Sequence, residues 1–272
     1  MEMAAQARTM STFGMLQDLM RRQCGVVLSK DQAYLVESRL GSVVKDLGLR
    51  SIDELVRLAS SFNDERSRLA VIDAMTTHET LFFRDASFWN VFEHDVLGPL
   101  LAARDGVITI LSAACSTGQE PYSVALLLHE RFPEHVNRVR IVATDVSALA
   151  VRRAKAGVFS TLEVNRGLNA RRLVRFFQSA PGGFVIDPKI SQSIEWRVNN
   201  IVDDPSPITG CDVVMCRNVL IYFDASDRER AVSRLISSMR PNGYLGLGSS
   251  ELLAQPQLAG GWYQPNKKGS PR

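Results

Sequence analysis

No run of apolar residues in this chain approaches the ~20 that a membrane-crossing helix needs, and Met1 to Met10 lacks the apolar stretch of a secretory signal, so a cytoplasmic protein without membrane insertion is expected. Cysteine and histidine are sparse. Cys24, Cys115, Cys211 and Cys216 have no zinc-ribbon spacing, and His78, His94, His129 and His135 are scattered, which argues against a metal site and leaves the thiols free in a reducing compartment. Cys211 and Cys216 bracket an apolar stretch, and in a regular strand their side chains would face opposite sides. Charge of one sign is also scarce: a net charge of +3 and a pI near 8.7 suit an acidic partner surface and are too slight to imply nucleic acid. The chain has no Gly-x-Gly-x-x-Gly, the turn that brings a pyrophosphate against bare backbone, which counts against an NAD enzyme. What remains is an ordinary soluble composition, 45% hydrophobic and 22% charged over 272 residues, long enough for one large domain or two modest ones.

The pattern changes partway along the chain. After residues 1–10, expected to be a flexible tail, residues 11–75 read only as helices. Phe13, Leu16, Leu19 and Met20 make a stripe. Ser29 with Gln32 and Ser51 with Glu54 read as capping boxes ahead of Leu35, Val36, Leu40, Val43, Val44 and Leu47, and of Leu55, Leu58, Ala59 and Phe62. With Leu69, Ile72 and Met75 this predicts a small four-helix unit, followed by a linker over 76–84. From Asp85 onward, strands near 107–112, 139–144, 194–199, 211–217 and 244–248 alternate mostly with helical stretches, which implies a mainly parallel sheet. An antiparallel excursion is expected over about 178–196. The chain end, Gly260-Gly-Trp-Tyr-Gln-Pro265, lacks a second strand pattern, so the last strand is expected to be incomplete and the tail 266–272 disordered.

The most informative segment is Ala113-Ala-Cys-Ser-Thr-Gly-Gln-Glu-Pro-Tyr-Ser123, between the apolar runs Val107 to Leu111 and Val124 to Leu128. It reads as a buried strand turning sharply into a helix, the place where open α/β sheets bind nucleotide-like ligands. With Gly118 as its only glycine, the turn suits an adenosine cofactor without phosphates, and Glu120 suits a cationic or hydroxyl group of it. S-adenosylmethionine (SAM) fits that description.

Five segments occur in one order: Thr77-His-Glu-Thr-Leu-Phe-Phe-Arg-Asp85, the 113–123 turn, Ala143-Thr-Asp-Val-Ser147, Cys216-Arg-Asn-Val-Leu-Ile-Tyr-Phe-Asp224 and Gly243-Tyr-Leu-Gly-Leu-Gly-Ser-Ser-Glu251. Together they closely resemble the chemotaxis receptor glutamate O-methyltransferases, the CheR family, over roughly residues 13 to 253. The resemblance implies an α/β fold: a Rossmann-like SAM-dependent methyltransferase sheet with a small N-terminal all-helical domain and a short antiparallel β-subdomain. In some members that insert grips a peptide tail of the receptor; the short turn here argues against that use.

Asp145, ending an apolar strand, can accept both ribose hydroxyls; the alternative is an N-cap for the helix after Ser147. By resemblance Asn200 and Ile201 lie beside the adenine, with Asn199 as the alternative to Asn200, and Arg217 and Asn218 face the cofactor. His78, Thr80 and Arg84 fold over its methionine end, His78 standing where other members often have Asn. Arg84 and Tyr222 match the two residues proposed to position the substrate glutamate, although an aromatic residue at a strand end is also a common core residue. A glutamate carboxylate, with a reference pKa of about 4.3, is already the nucleophile at neutral pH. It attacks the sulfonium methyl in line without a general base, yielding a methyl ester and S-adenosylhomocysteine. The implied partners are methyl-accepting chemotaxis receptors, with a monomeric enzyme. Arg39, Lys45, Arg50 and Arg57 are candidates for docking acidic receptor helices, diluted by Glu37, Asp46, Asp53 and Glu54. A catalytically silent SAM-binding signalling module is the rival reading; substrate turnover separates the two.

Overall fold

The computed structural model describes residues 2–203, 208–251, 253 and 258–265. Four helices come first: α1 (Glu2–Cys24), α2 (Ala33–Asp46), α3 (Ile52–Ser60) and α4 (Glu65–Met75). Helix α1 runs back through the stretch that sequence had set apart as a flexible tail. The apolar stripes close on one another, so that Leu16, Met20, Val36, Leu40, Leu55, Ala59 and Met75 share one core. At the Ser29 box the Gln32 side chain accepts from the Ser29 amide at 3.0 Å. The second box is shifted: Ser51 Oγ accepts from the Glu54 amide, but the Glu54 carboxylate takes the amide and guanidinium of Arg50, a cation in reach one residue earlier.

A mixed α/β unit follows. Helix α5 (Ala86–Val91) continues through wider π-type turns, Phe92–Leu97, into α6 (Gly98–Ala103). Then come β1 (Ile108–Ala113), α7 (Gln119–Arg131), β2 (Val139–Asp145), α8 (Ala148–Ala156), β3 (Val158–Phe159), α9 (Thr161–Asn165), α10 (Ala170–Phe176), β4 (Phe177–Ala180), β5 (Gly183–Ile186), α11 (Pro188–Ser191), β6 (Ile194–Val198), β7 (Cys211–Cys216), α12 (Ala225–Ser238), β8 (Met239–Leu247) and β9 (Trp262–Tyr263). The main sheet has the order β6-β2-β1-β7-β8-β9, parallel throughout except for β9 against β8. Strand order reverses around β1, which places a ligand crevice at the carboxyl ends of β1, β2 and β7.

Two expectations about the sheets change, the bounds of the insert and the faces of Cys211 and Cys216. The antiparallel insert is β3-β5-β4, so it draws in Val158 and Phe159 from upstream and its strands end at Ile186, while β6, the parallel strand expected over 194–199, pairs with β2 in the main sheet. The closing reversed strand is short, as expected of an incomplete last strand: it runs over two residues only. Trp262 is buried and stacks on Phe88 at 4.4 Å and Phe92 at 5.4 Å, so tertiary aromatic contact holds a strand with no periodicity of its own. Cys211 and Cys216 lie in the same core layer, because the pairing of β7 with β8 shifts register between Cys211 and Val213 and so inverts the alternation. The tail 266–272, expected to be disordered, lies outside the described residues.

Candidate active site

The turn after β1 is strained by design of its sequence. Ala114 and Ser116 both adopt left-handed backbone (φ 57° and 53°), each at a cost of roughly 1–2 kcal/mol for a residue with a side chain. That geometry aims the Ser116 amide at Asp145 Oδ2, 2.8 Å away. Gly118, at φ 94°, opens α7; a Cβ there would lie 2.9 Å from Ala154 Cβ and 3.0 Å from the Trp196 ring, so both conformation and space demand glycine. The other oxygen of Asp145 accepts from the Ser147 amide at 2.9 Å. Helix α8 is capped by Ser147, whose Oγ accepts from the Ala150 amide at 3.0 Å, so Asp145 is not its N-cap. Burial pushes the Asp145 carboxyl above the usual range, and its two backbone hydrogen bonds oppose that shift.

A cleft of about 900 Å³, counting its open mouth, lies over these strand ends. It brings together all ten residues singled out in the sequence: His78, Thr80, Arg84, Glu120, Asp145, Asn200, Ile201, Arg217, Asn218 and Tyr222. Several are committed to the protein itself. Asn200 donates to the Gln23 carbonyl at 2.8 Å and accepts from the Val202 amide at 2.9 Å, tying the end of α1 to the sheet; Asn199 lines the same cleft. The His78 ring nitrogen lies 3.2 Å from the Asp73 carbonyl and 3.1 Å from Thr76 Oγ1, at the end of α4. Tyr222 sits on a short 3-10 turn, Leu220–Tyr222, after β7 rather than in the strand.

Arg217 is the electrostatic centre of the floor. Its side chain, 3% exposed, pairs with Asp85 at 2.6 Å and Glu120 at 3.3 Å, donates to the Arg84 carbonyl, and stacks over Phe88. Glu120 also accepts from Ser112 Oγ at 2.7 Å. Burial outweighs these partners and raises the Glu120 carboxyl above its ordinary value. A carboxyl raised in the folded state keeps its proton to higher pH than in the unfolded chain, so stability falls as pH climbs from about 4.5 through the raised value. Glu120→Gln, which keeps an acceptor for Arg217, should therefore melt at higher temperature than wild type at pH 8, with the gap closing near pH 4.5. A lower melting temperature at pH 8 would show that the ion pair outweighs the burial cost.

Sequence reasoning missed residues that arrive from far along the chain. Cys24 and Val26 come from the helical domain to line the cleft wall. Glu251, at the end of the Gly243 to Glu251 segment, is fully buried and accepts from four amides: Asn218 at 2.7 Å, Val219 at 2.7 Å, Leu220 at 2.6 Å and Gly248 at 2.9 Å. It fixes the loop that carries Asn218 and Tyr222. An acid straight after a Ser-Ser pair was the only signal. Among the described residues no cluster of histidine, cysteine or carboxylates is arranged to hold a metal ion, and no helix is long and apolar enough to cross a membrane.

A parallel sheet with a reversed last strand, a strained small-residue turn and an acid at the end of β2 define a nucleoside-binding α/β protein whose site suits SAM rather than a dinucleotide. Comparison with known families agrees. Residues 78–261 match the CheR methyltransferase SAM-binding domain and residues 11–76 the CheR all-alpha domain. The chain is 39% identical to chemotaxis protein methyltransferase 1 of Pseudomonas aeruginosa over 247 residues, covering 89% of this chain and 90% of that one. It is 40% identical to a chemotaxis protein methyltransferase of Vibrio parahaemolyticus, covering 85% of each, and 29% identical to one of Borreliella burgdorferi, covering 84% and 83%. The chain belongs to the CheR family of SAM-dependent methyltransferases.

Proposed function

We propose that this protein methylates glutamate side chains on the cytoplasmic helical domains of chemotaxis receptors, forming glutamate methyl esters and S-adenosylhomocysteine. The observation that carries this reading is the convergence of Arg84 and Tyr222 with Asp145 on one cleft. The donor set also fits the cofactor: a buried carboxylate for two ribose hydroxyls, a strained turn that needs no phosphate, and small residues where backbone must be approached. Bound SAM supplies a methyl group carried on a sulfonium.

The work of the chain's own residues is placement. Asp145 holds the ribose; Arg84 anchors a carboxylate; Tyr222 directs its hydroxyl at the reacting centre; the helical domain and the 76–84 linker close the cleft against water. The glutamate is ionised above about pH 5, so no side chain has to remove a proton. Alignment and exclusion of water are each recognised sources of rate, and alignment alone supplies roughly 7–11 kcal/mol. The docking face is narrower than composition implies: Arg39 turns a guanidinium nitrogen onto the Met75 and Thr76 carbonyls, Arg50 pairs with Glu54 and Arg57 donates Nε to the Asp53 carbonyl, leaving Lys45 as the freer candidate.

Transfer of labelled methyl from SAM to receptor cytoplasmic fragments, released by mild base as expected of an ester, tests the reading. Single-turnover rates with saturating substrates should be flat between pH 6 and 8. No transfer to any receptor fragment, with S-adenosylhomocysteine still bound, would favour a silent binding module. Tyr222→Phe removes one hydroxyl and should lower turnover about tenfold or more with cofactor affinity unchanged. Full turnover in that variant would make Tyr222 a packing residue.

A further inference from the structure

The helical domain touches both halves of the cleft, and through different atoms. On the substrate side, the segment after α1 hooks onto the loop of Tyr222. The Val27 amide donates to the Tyr222 carbonyl at 2.9 Å, and Val26 forms an antiparallel bridge with Phe223. Gly25 makes the hook feasible: it has φ 73°, and a Cβ there would lie 2.8 Å from Val202 and 3.4 Å from the Phe223 ring. Arg21, one turn earlier, pairs with Asp224 at 2.6 Å.

On the cofactor side the contact is a carboxylate. Asp73, on α4, accepts from Ser147 Oγ at 2.6 Å and from the Leu149 amide at 3.4 Å, so an acid of the helical domain joins the cap of α8. Ser147 in turn donates its amide to Asp145. Val146, between them, packs on the core of the helical domain. The two-residue stretch after Asp145 is thus gripped from the first domain by one hydrogen-bond pair and one apolar contact.

We propose that the N-terminal helical domain is a positioning part of the methyl-transfer site, Val27 setting Tyr222 through the main chain and Asp73 setting Asp145 through Ser147. This rests on the function proposed above. Neither residue touches the reacting atoms. Both act on a loop that is otherwise held only from within the α/β unit, the Tyr222 loop by Glu251 and the Ser147 turn by Asp145, and a displacement near 1 Å is enough to cost about a hundredfold in rate. The two hooks serve different steps, so they should fail differently. A domain that merely added stability would lower every property together.

The test crosses the two hooks in the full chain. Val27→Pro deletes a single N–H at an exposed position beside the Val26 bridge. It should cut kcat for receptor methylation by about ten- to a hundredfold, while the S-adenosylhomocysteine Kd from calorimetry stays within about twofold. Asp73→Ala should raise that Kd by about tenfold with kcat at saturating SAM nearly kept, and Asp73→Asn, which retains an acceptor for Ser147, should recover most of the affinity. Thermal melts of all variants report the fold. If both variants lose rate and affinity in parallel with melting temperature, or if neither loses anything, the positioning role is wrong. Wild type that binds S-adenosylhomocysteine but transfers no methyl sinks the function proposal instead, and the Asp73 arm, read by calorimetry, still decides its own half.

Discussion

Asp145→Ala should weaken S-adenosylhomocysteine binding by about a hundredfold or more, measured by calorimetry. Two ribose hydroxyls lose a charged acceptor, and hydrogen bonds to charged groups contribute roughly 1.5–3 kcal/mol each, with about 1.4 kcal/mol per factor of ten. The change also frees the Ser116 and Ser147 amides that the carboxylate now accepts. Stability should fall less than affinity, because burial already disfavours this charge, as its raised pKa records. Asp145→Asn is no gentle substitute: both carboxylate oxygens face N–H donors, so the new amide must turn its own N–H toward one of them. Unchanged affinity in Asp145→Ala would leave the residue as a tie between two loops and refute the ribose assignment.

Glu251→Ala should have the largest effect on the fold. The side chain is fully buried and takes four amide donors from two loops. An amide left without a partner in the interior costs about 1–3 kcal/mol, and four of them approach the 5–15 kcal/mol that holds a whole domain together. The melting temperature should drop by ten degrees or more, on the order expected for several kcal/mol in a chain of this size. Glu251→Gln keeps one acceptor oxygen and gives a milder reading. It should remain folded, bind S-adenosylhomocysteine within about an order of magnitude of wild type, and lose receptor methylation, because the Asn218 to Tyr222 loop is loosened while Asp145 is untouched. A Glu251→Ala protein with wild-type melting temperature would show that water replaces the carboxylate at no cost.

The division between helical and α/β parts was legible because each obeys a short-range rule. Stripes such as Leu35, Val36, Leu40 and Val43 can bury only one face of a helix, and runs such as Val213 to Cys216 are apolar on every residue, as a strand covered on both sides must be. The site was legible for the same reason: small residues at 113–118 and acids at 120 and 145 stand directly after apolar strands, where strand order makes a crevice. What escaped was set at a distance. The Trp262 strand exists because Phe88 and Phe92 stack on it, and the face of Cys211 was inverted by a local register shift with β8.

By itself the sequence determined the class of fold, the family and ten of the side chains that line the cleft, Glu120 and Asp145 from the turns that follow their strands and the rest from the resemblance carried by the five segments. Only the tertiary structure decided which of those side chains are spent on the protein and which face the cleft unencumbered. Arg217 and Asn200 are held by Asp85, Glu120 and Gln23, and the loop of Tyr222 by Val27 and Glu251. The physical reason is the buried polar group: it must find a partner wherever the fold brings one, and that partner is usually far away in sequence.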